Sequence, residues 1–91
     1  MKITFDPAKN ASNIELRGLS FELIHAFDFA TAWFSVDARH DYGETRYRAL
    51  GLLDERVCAV VFVEAPSGIR VISFRKANKR EVKLYEQKTK P

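Results

Sequence analysis

The second half of the chain has the spacing of hydrophobic and polar residues that is typical of β-strands. Apolar residues alternate with polar ones, or run continuously, and polar or glycine-containing segments separate these runs. Four such runs occur, at 33–37, 46–53, 56–64 and 69–75. The run at 56–64 is apolar on both faces, so we expect it to lie in the centre of the sheet.

The first half of the chain has the pattern of a short strand followed by two helices. Residues 3–5 are the strand candidate. Asp6 can cap a helix whose first residue is Pro7, and Gly18 is a suitable residue to end it. Ser20 can cap a second helix directly afterwards. The predicted core face of that second helix carries Phe21, Ile24 and Phe27.

A third helix follows the last strand, so the predicted order of elements is β-α-α-β-β-β-β-α. This order indicates one α+β domain over residues 1–91. We expect a central, mostly antiparallel sheet, with the two N-terminal helices and the C-terminal helix packed on it. The composition, 46% apolar and 30% charged, is typical of a globular protein.

Cysteine usage and the distribution of apolar residues limit the class of protein. Cys58 is the one cysteine of the chain, and we interpret it as a core residue in a reducing compartment. The N-terminus lacks the apolar run of a signal peptide. The longest apolar run is seven residues, too short to span a membrane. We therefore expect a cytoplasmic protein with no membrane contact.

Charge is distributed unevenly along the chain. Residues 70–91 contain eight Lys/Arg and two Glu, whereas the remainder contains seven Lys/Arg and ten Asp/Glu. Phosphate is the commonest anionic partner of such a basic segment. The C-terminal part is therefore predicted to bind nucleic acid or another acidic partner.

On a helical wheel, the C-terminal helix has a basic side and an apolar side. The basic side carries Lys76, Lys79, Arg80 and Lys83, and the apolar side carries Ala77, Val82, Leu84 and Tyr85. Glu81 falls on the apolar side, where a bare carboxylate is costly, so it needs a partner such as Arg75 or Arg46. Two interpretations of Glu81 stay open: a structural ion pair, or a residue that positions or deprotonates a substrate hydroxyl.

Strand alternation predicts on which face of its own strand each of several arginines lies. Arg46 and Arg48 share a face of their strand, and Arg75 is predicted to share a face with Ser73 and Val71. If these faces coincide, the guanidinium groups converge, and such groups suit bidentate contact with a phosphate. Arginines scattered over the surface are the alternative.

Three further residues are candidates for a site. Tyr85 can stack on a base, or be a core aromatic. Lys9 lies one turn from Asn13 and can reach the same groove, or be solvated. His40 lies in a loop and titrates near neutral pH, which suits a general acid or base. The spacing of His and Asp residues indicates no metal site, and no phosphate-binding glycine loop is present.

Several segments together resemble the BrnT toxin family of bacterial type II toxin–antitoxin systems. The similar stretches are Phe5-Asp-Pro-Ala-Lys9 with Asn13, Gly18-Leu-Ser-Phe-Glu22, Asp37 with His40, Gly43-Glu-Thr-Arg46, and Ile72-Ser-Phe-Arg-Lys-Ala77 followed by Arg80, Glu81 and Tyr85. The chain departs from the family at Leu16-Arg17, where members often have Lys-His. Any role of that histidine is therefore not carried over to this chain.

The resemblance implies a RelE-like fold and a metal-independent endoribonuclease that arrests growth by cutting RNA, with no cofactor. It also implies a BrnA-type antitoxin as the partner in a hetero-oligomer. Such an antitoxin carries a ribbon-helix-helix element, and contact with operator DNA is expected only through it.

The residues and the resemblance together predict RNA cleavage on the exposed face of the sheet. The predicted catalytic residues are Arg46, Arg75, Arg80, Glu81, His40 and Tyr85. The predicted RNA-binding residues are Lys9, Arg48, Lys76, Lys79 and Lys83. The alternative is a basic module that binds nucleic acid or protein without breaking a bond.

Overall fold

The computed structural model describes residues 1–39 and 41–90, which form an α+β fold around one mixed sheet. The elements are β1 (Lys2–Thr4), α1 (Pro7–Arg17), a 3₁₀ helix (Phe21–Ala26), β2 (Trp33–Val36), β3 (Tyr47–Leu53), β4 (Arg56–Ala65), β5 (Gly68–Lys76) and α2 (Lys79–Thr89). The strands lie in the order β1-β5-β4-β3-β2. β1 pairs in parallel with β5, and the other pairs are antiparallel. The α+β class is confirmed, while the likeness to RelE stays a prediction.

The apolar strand β4 occupies the centre of the sheet, as its sequence predicts. Its residues 58–63 are buried, because neighbouring strands flank it and side chains cover both faces. Cys58 is one of these residues and is 1% exposed. Burial raises the pKa of its thiol, so it is a core residue as expected. In the described part of the chain, neither α-helix is long and apolar enough to cross a membrane.

Helix α1 begins and ends at the residues that the sequence indicates. Asp6 Oδ1 accepts a hydrogen bond from the Ala8 amide at 2.9 Å, and Gly18 closes the helix with a φ of 71°. The helix lies along the edge of β5 beyond the short segment that β1 covers. There, Asn13 Nδ2 donates to the Phe74 carbonyl at 2.8 Å. An edge carbonyl of the sheet is thus satisfied by a helix side chain.

The second predicted helix is a 3₁₀ helix of six residues, not an α-helix. Ser20 caps it as expected, since its Oγ accepts from the Glu22 amide at 3.2 Å. Phe21, Ile24 and Phe27 are buried and stand three residues apart. A 3₁₀ helix has three residues per turn, so Phe21 and Ile24 lie on one face of it, and Phe27 follows as the extended C-cap residue. The prediction of an α-helix was wrong, because a spacing of three residues fits one face of either kind of helix.

The two faces of the sheet are covered differently. One face carries the larger apolar cluster, which includes Phe21, Ile24, Phe27, Val60 and Phe74. The opposite face carries a smaller cluster that joins α2 to the sheet and includes Leu50, Ala59 and Tyr85. Helix α2 contacts β2, β3 and β4. It therefore covers only part of its face and leaves the remainder open.

An irregularity between β4 and β5 decides which β5 side chains reach the open face. Val61 pairs with Ser73, whereas the next residue, Phe62, pairs with Val71, so Ile72 is an extra residue. Val71 consequently lies in the larger apolar cluster, on the face opposite Ser73 and Arg75. The prediction that Val71 shares a face with Arg75 was wrong, because simple alternation takes no account of a β-bulge.

Candidate functional site

The part of the sheet that α2 leaves open forms the floor of a groove of about 660 Å³. Four side chains from the central strands line this floor: Arg48, Val61, Ser73 and Arg75. One wall is helix α1, with Ala8, Lys9, Ser12, Asn13, Leu16 and Arg17. The other wall is the end of β2 and the residues after it, 35–39. Three separate parts of the chain therefore contribute to one concave surface.

A carboxylate from α2 holds two arginines at the floor of the groove. Arg75 Nη1 donates to Glu81 Oε1 at 2.6 Å, and Arg75 Nη2 donates to Glu81 Oε2 at 2.9 Å. Arg48 Nη1 donates to the same Oε2 at 3.4 Å. The Glu81 side chain is 7% exposed, whereas the Arg48 and Arg75 side chains are 31% and 30% exposed. The carboxylate is thus buried beneath two guanidinium groups that remain open to the groove.

The capping of α2 places Glu81 in this position. Glu81 is the third residue of the helix, and its Oε1 accepts from the Asn78 amide at 3.0 Å. In return, Asn78 Oδ1 accepts from the Glu81 amide at 2.9 Å, which completes a capping box. The expectation that Glu81 has a cationic partner is confirmed. That partner is Arg75, with Arg48 as a second one, and not Arg46.

Hydrogen bonding also defines the protonation states of this pair. The hydrogen bonds from Arg75, more than any other contact, lower the pKa of the Glu81 carboxyl below its usual 4.5. The same bonds raise the pKa of Arg75. Glu81 is therefore an anion at neutral pH, and its two oxygens already accept from Arg75, Arg48 and the Asn78 amide. These contacts suit a group that orients arginines.

A second carboxylate holds a third arginine on the opposite wall. Arg39 Nε and Nη2 donate to the two oxygens of Asp37 at 2.8 and 2.9 Å. The Asp37 side chain is 5% exposed and that of Arg39 is 70% exposed. The Arg39 hydrogen bonds lower the pKa of the Asp37 carboxyl. Sequence reasoning did not select Arg39; its signal was an Asp two residues earlier, directly after a strand.

The lining of the groove carries more positive than negative charge. Its cations are Lys9, Arg17, Arg39, Arg48 and Arg75, and its one described carboxylate, Asp37, is already paired with Arg39. The hydrogen bonds to Glu81 dominate and raise the pKa of Arg75, while the charge of Arg39 has a smaller, opposite effect on it. An anion placed between these two arginines relieves their repulsion. The arrangement is suited to a phosphate or a carboxylate.

Some predicted site residues lie elsewhere on the described chain. Arg46 donates to Glu44 Oε2 at 3.4 Å, and its guanidinium carbon lies 3.8 Å from the centroid of the Tyr42 ring, outside the groove lining. Tyr85 is 8% exposed and belongs to the apolar cluster under α2. His40 lies outside the described residues.

The predicted basic side of the C-terminal helix is also not part of the groove. Lys79, Arg80 and Lys83 are exposed on α2 and do not line it. Lys76 is the last residue of β5, not a helix residue, because Asn78 caps the helix. Lys76 pairs with Cys58 and lines a different cavity. Of the predicted site residues, the groove thus brings together Lys9, Arg48 and Arg75, and Glu81 lies beneath the two arginines.

Comparison with known protein families shows to which family this chain belongs. A family model described as the ribonuclease toxin BrnT of type II toxin–antitoxin systems matches residues 5–81. The chain belongs to the BrnT family. The match begins just before α1 and ends at Glu81, so every residue of the groove described above lies within it. No curated protein matches the chain.

Membership of the family states the general function. The chain is a ribonuclease toxin of a type II toxin–antitoxin system, and this class implies an RNA target and an antitoxin partner. In residues 1–39 and 41–90, no three His, Cys, Asp or Glu side chains are grouped so as to hold a metal ion. The lining of the toxin's groove combines five cations and three serine hydroxyls with apolar side chains.

Proposed function

We propose that this toxin is a metal-independent endoribonuclease that binds the scissile phosphate of RNA between Arg48 and Arg75. The observation that carries the proposal is that both guanidinium groups are held on Glu81 and open to one cationic groove. A planar guanidinium fork matches two phosphate oxygens at once. Lys9 and Arg39, on the two walls, bind the phosphates on either side.

The chemistry uses the ribose 2′-hydroxyl of the RNA as the nucleophile. A bond forms between the 2′ oxygen and phosphorus, and the bond between phosphorus and the 5′ oxygen breaks. The products are a 2′,3′-cyclic phosphate and a free 5′-hydroxyl; the 2′-hydroxyl loses a proton and the leaving oxygen gains one. The protein supplies position, and the arginines stabilise the extra negative charge on the phosphate in the transition state.

The groups that hold or transfer protons are assigned by their surroundings. Glu81 is a positioning residue, because Arg75, Arg48 and the Asn78 amide already donate to its oxygens. Tyr85 has no role in the proposal, since it is buried in the apolar cluster. His40 is the proton-transfer candidate, because histidine is the usual general acid or base near neutral pH and His40 directly follows Arg39 in the sequence.

The partner belongs to the proposal as well. The family implies an antitoxin, and the resemblance to BrnT toxins suggests a BrnA-type protein with a ribbon-helix-helix element. In this proposal, toxin and antitoxin form a hetero-oligomer, and operator DNA is contacted only through the antitoxin.

The test is a cleavage assay on purified toxin with RNA and excess EDTA. We expect discrete fragments that end in 2′,3′-cyclic phosphate. Arg75→Lys keeps the charge but loses the fork, so we expect cleavage to fall by about 100-fold, as for loss of one transition-state donor. Arg80→Lys is the matched control on α2, and we expect its rate to stay within about two-fold of the parent.

Three results would contradict the proposal. Cleavage that stops with EDTA and returns with a divalent metal would refute metal independence. RNA that binds but stays intact over a broad pH range would instead support the basic binding module. If Arg75→Lys and Arg80→Lys lose activity equally, the groove is not the place of cleavage.

A further inference from the structure

A third carboxylate holds two arginines that lie outside the groove lining. Glu44 Oε1 accepts a hydrogen bond from Arg70 Nη2 at 2.9 Å, and Glu44 Oε2 accepts one from Arg46 Nε at 3.4 Å. This repeats the arrangement at Glu81, where one carboxylate also binds two guanidinium groups. The cleavage chemistry described above uses neither arginine of this second pair.

The β-bulge places Arg70 on the face of the sheet that carries the groove. Arg70 and Arg75 are an odd number of residues apart, so simple alternation would turn them to opposite faces. Because Ile72 is an extra residue, Arg70 pairs with Val63 and Arg75 pairs with Ala59. These two β4 residues share a face, and at about 3.4 Å per residue they lie about 14 Å apart. The floor of the groove therefore continues along β4 towards Arg70.

Arg46 lies between the groove and Arg70. It shares a face with Arg48 by alternation, and its carbonyl accepts from the Asp37 amide at 2.8 Å, so the pairing of β2 and β3 continues to this residue. The hydrogen bonds from Arg39 are the main cause of the lowered pKa of Asp37, and the charge of Arg46 lowers it further. The second arginine pair thus begins beside the groove wall that carries Asp37.

We propose that Arg46 and Arg70, oriented by Glu44, form a second phosphate subsite that binds the RNA strand beside the groove. This inference rests on the proposed function, because it names a further contact of the same substrate. The subsite binds the phosphate that follows the one on Arg39. The toxin accordingly holds a segment of several nucleotides, not a single linkage.

The balance of charge supports an anionic ligand at this place. Two guanidinium groups share the one negative charge of Glu44, which leaves a net positive charge. A guanidinium has several N–H donors, and Glu44 accepts from one nitrogen of each. The Arg70 side chain is 47% exposed, so it is open to a ligand. Glu64 does not cancel this charge, because its pairing partner Ile69 belongs to the larger apolar cluster on the opposite face.

A cavity beside the arginine pair has room for the nucleoside attached to such a phosphate. Its volume is about 560 Å³, and its lining includes Arg70, Glu44, Thr4 and Thr45. Cavities of this size are typical of small-molecule sites. The subsite therefore offers both cations for the phosphate and space for the ribose and base.

The experiment compares two RNA ligands of different length. Both are 2′-O-methyl oligonucleotides, so the toxin cannot cleave them: a fluorescein-labelled octanucleotide, and an unlabelled dinucleotide with one phosphodiester that competes with it. We expect Arg70→Ala to weaken octanucleotide binding by about ten-fold, the effect of one charge-assisted contact. The slope of log affinity against log salt should fall by about 0.7. Dinucleotide affinity should stay within about two-fold, because its single phosphate occupies the groove.

Arg56→Ala is the matched control, since it removes the same charge from an exposed arginine at the other end of β4. We expect it to leave octanucleotide affinity within about two-fold. Three results would overturn the inference: octanucleotide binding by Arg70→Ala that equals the parent, a loss of equal size in Arg56→Ala, or an equal loss for the dinucleotide. The last result is the one that a purely structural role of the Arg70–Glu44 pair would give.

The two proposals fail in different ways. If the parent toxin binds the octanucleotide but leaves unmodified RNA intact, the proposed cleavage fails. The comparison of Arg70→Ala with Arg56→Ala then still decides whether Arg70 binds a phosphate. If the toxin cleaves RNA and Arg70→Ala binds the octanucleotide as the parent does, only the second subsite fails. If neither ligand binds the parent, both proposals fail.

Discussion

The groove and the outer surface of α2 are both rich in cations, yet they differ in how those cations are held. In the groove, Arg75 and Arg39 are each bound by both oxygens of a buried carboxylate. On α2, Lys79, Arg80 and Lys83 are exposed. Among the described ion pairs, none includes one of these three side chains. The comparison teaches that density of charge along the sequence does not by itself locate a site.

The physical difference is the freedom that a side chain loses on binding. Ordering a free Lys or Arg side chain costs up to about 2 kcal/mol. An arginine that a carboxylate already orients has lost most of that freedom on folding, so less is lost when a ligand binds. In the proposed function, the exposed cations of α2 attract an RNA strand over a distance, whereas the groove holds one phosphate in a defined geometry.

The largest effect is expected when the orienting carboxylate itself is removed. In Glu81→Gln, the amide cannot hold Arg75 and Arg48 as an anion does, so the guanidinium groups lose their alignment. We expect cleavage under single-turnover conditions to fall by about 100-fold, as for misplacement of a catalytic group. Affinity for a 2′-O-methyl RNA probe, which lacks the 2′-hydroxyl that cleavage needs, should change much less, because the loss of a negative charge offsets the lost orientation of the arginines.

This split between rate and affinity distinguishes positioning from a purely structural role. Glu86→Gln is the control, since Glu86 is an exposed carboxylate on the same helix. Urea unfolding of both variants identifies any loss of folded protein. If Glu81→Gln is folded and cleaves RNA at the parental rate, the carboxylate does not orient the site.

We expect a variant of Arg39 to have an intermediate effect on RNA affinity, because Arg39 resembles both the exposed cations of α2 and the arginines of the groove floor. It is exposed like the cations of α2, but Asp37 holds it like the arginines of the floor. We expect Arg39→Ala to weaken probe affinity by about ten-fold, the effect of one charge-assisted contact. Asp37→Asn should cause part of the same loss. If Arg39→Ala and Arg80→Ala have equal affinities for the probe, Arg39 contributes no more to RNA binding than the exposed cations of α2 do.

The smallest effect is expected on α2. The triple variant Lys79→Ala, Arg80→Ala, Lys83→Ala removes three charges but leaves the groove unchanged. At about 0.15 M salt the screening length is about 8 Å, so we expect cleavage to fall by less than about three-fold. At low salt the loss should grow, because attraction over a distance is then less screened. If the triple variant loses as much activity as Arg75→Lys at 0.15 M salt, the cations of α2 matter for cleavage as much as those of the groove, contrary to this prediction.

Local signals predicted much of the fold because they act between residues close in sequence. The α+β class, the central place of β4 and the caps at Asp6 and Gly18 all follow from such signals. Two predictions failed for local reasons as well. Residues 21–26 form a 3₁₀ helix, whereas the spacing of Phe21, Ile24 and Phe27 fits one face of an α-helix as well. The helical wheel had extended α2 back to Lys76, although Asn78 begins the helix.

Which residues form the candidate site depended on contacts between residues that are far apart in the sequence. The position of Glu81 on the apolar side of the helix predicted that it has a cationic partner. Two residues, Arg75 and Arg46, were candidates for that partner. Arg75 pairs with Ala59 beneath α2, within reach of the carboxylate, whereas Arg46 precedes β3 and pairs with Glu44. The extra residue Ile72 set which side chains of β5 share that face with Arg75.

The sequence by itself therefore determined the elements, the basic C-terminal segment, the need of Glu81 for a partner and the likeness to BrnT toxins. These depend on residue type and short-range spacing. Only the tertiary structure decided that Arg39, Arg48 and Arg75 line one groove, while the lysines of α2 do not. Strand register, the bulge and the packing of α2 place those side chains, and each depends on residues far apart in the chain.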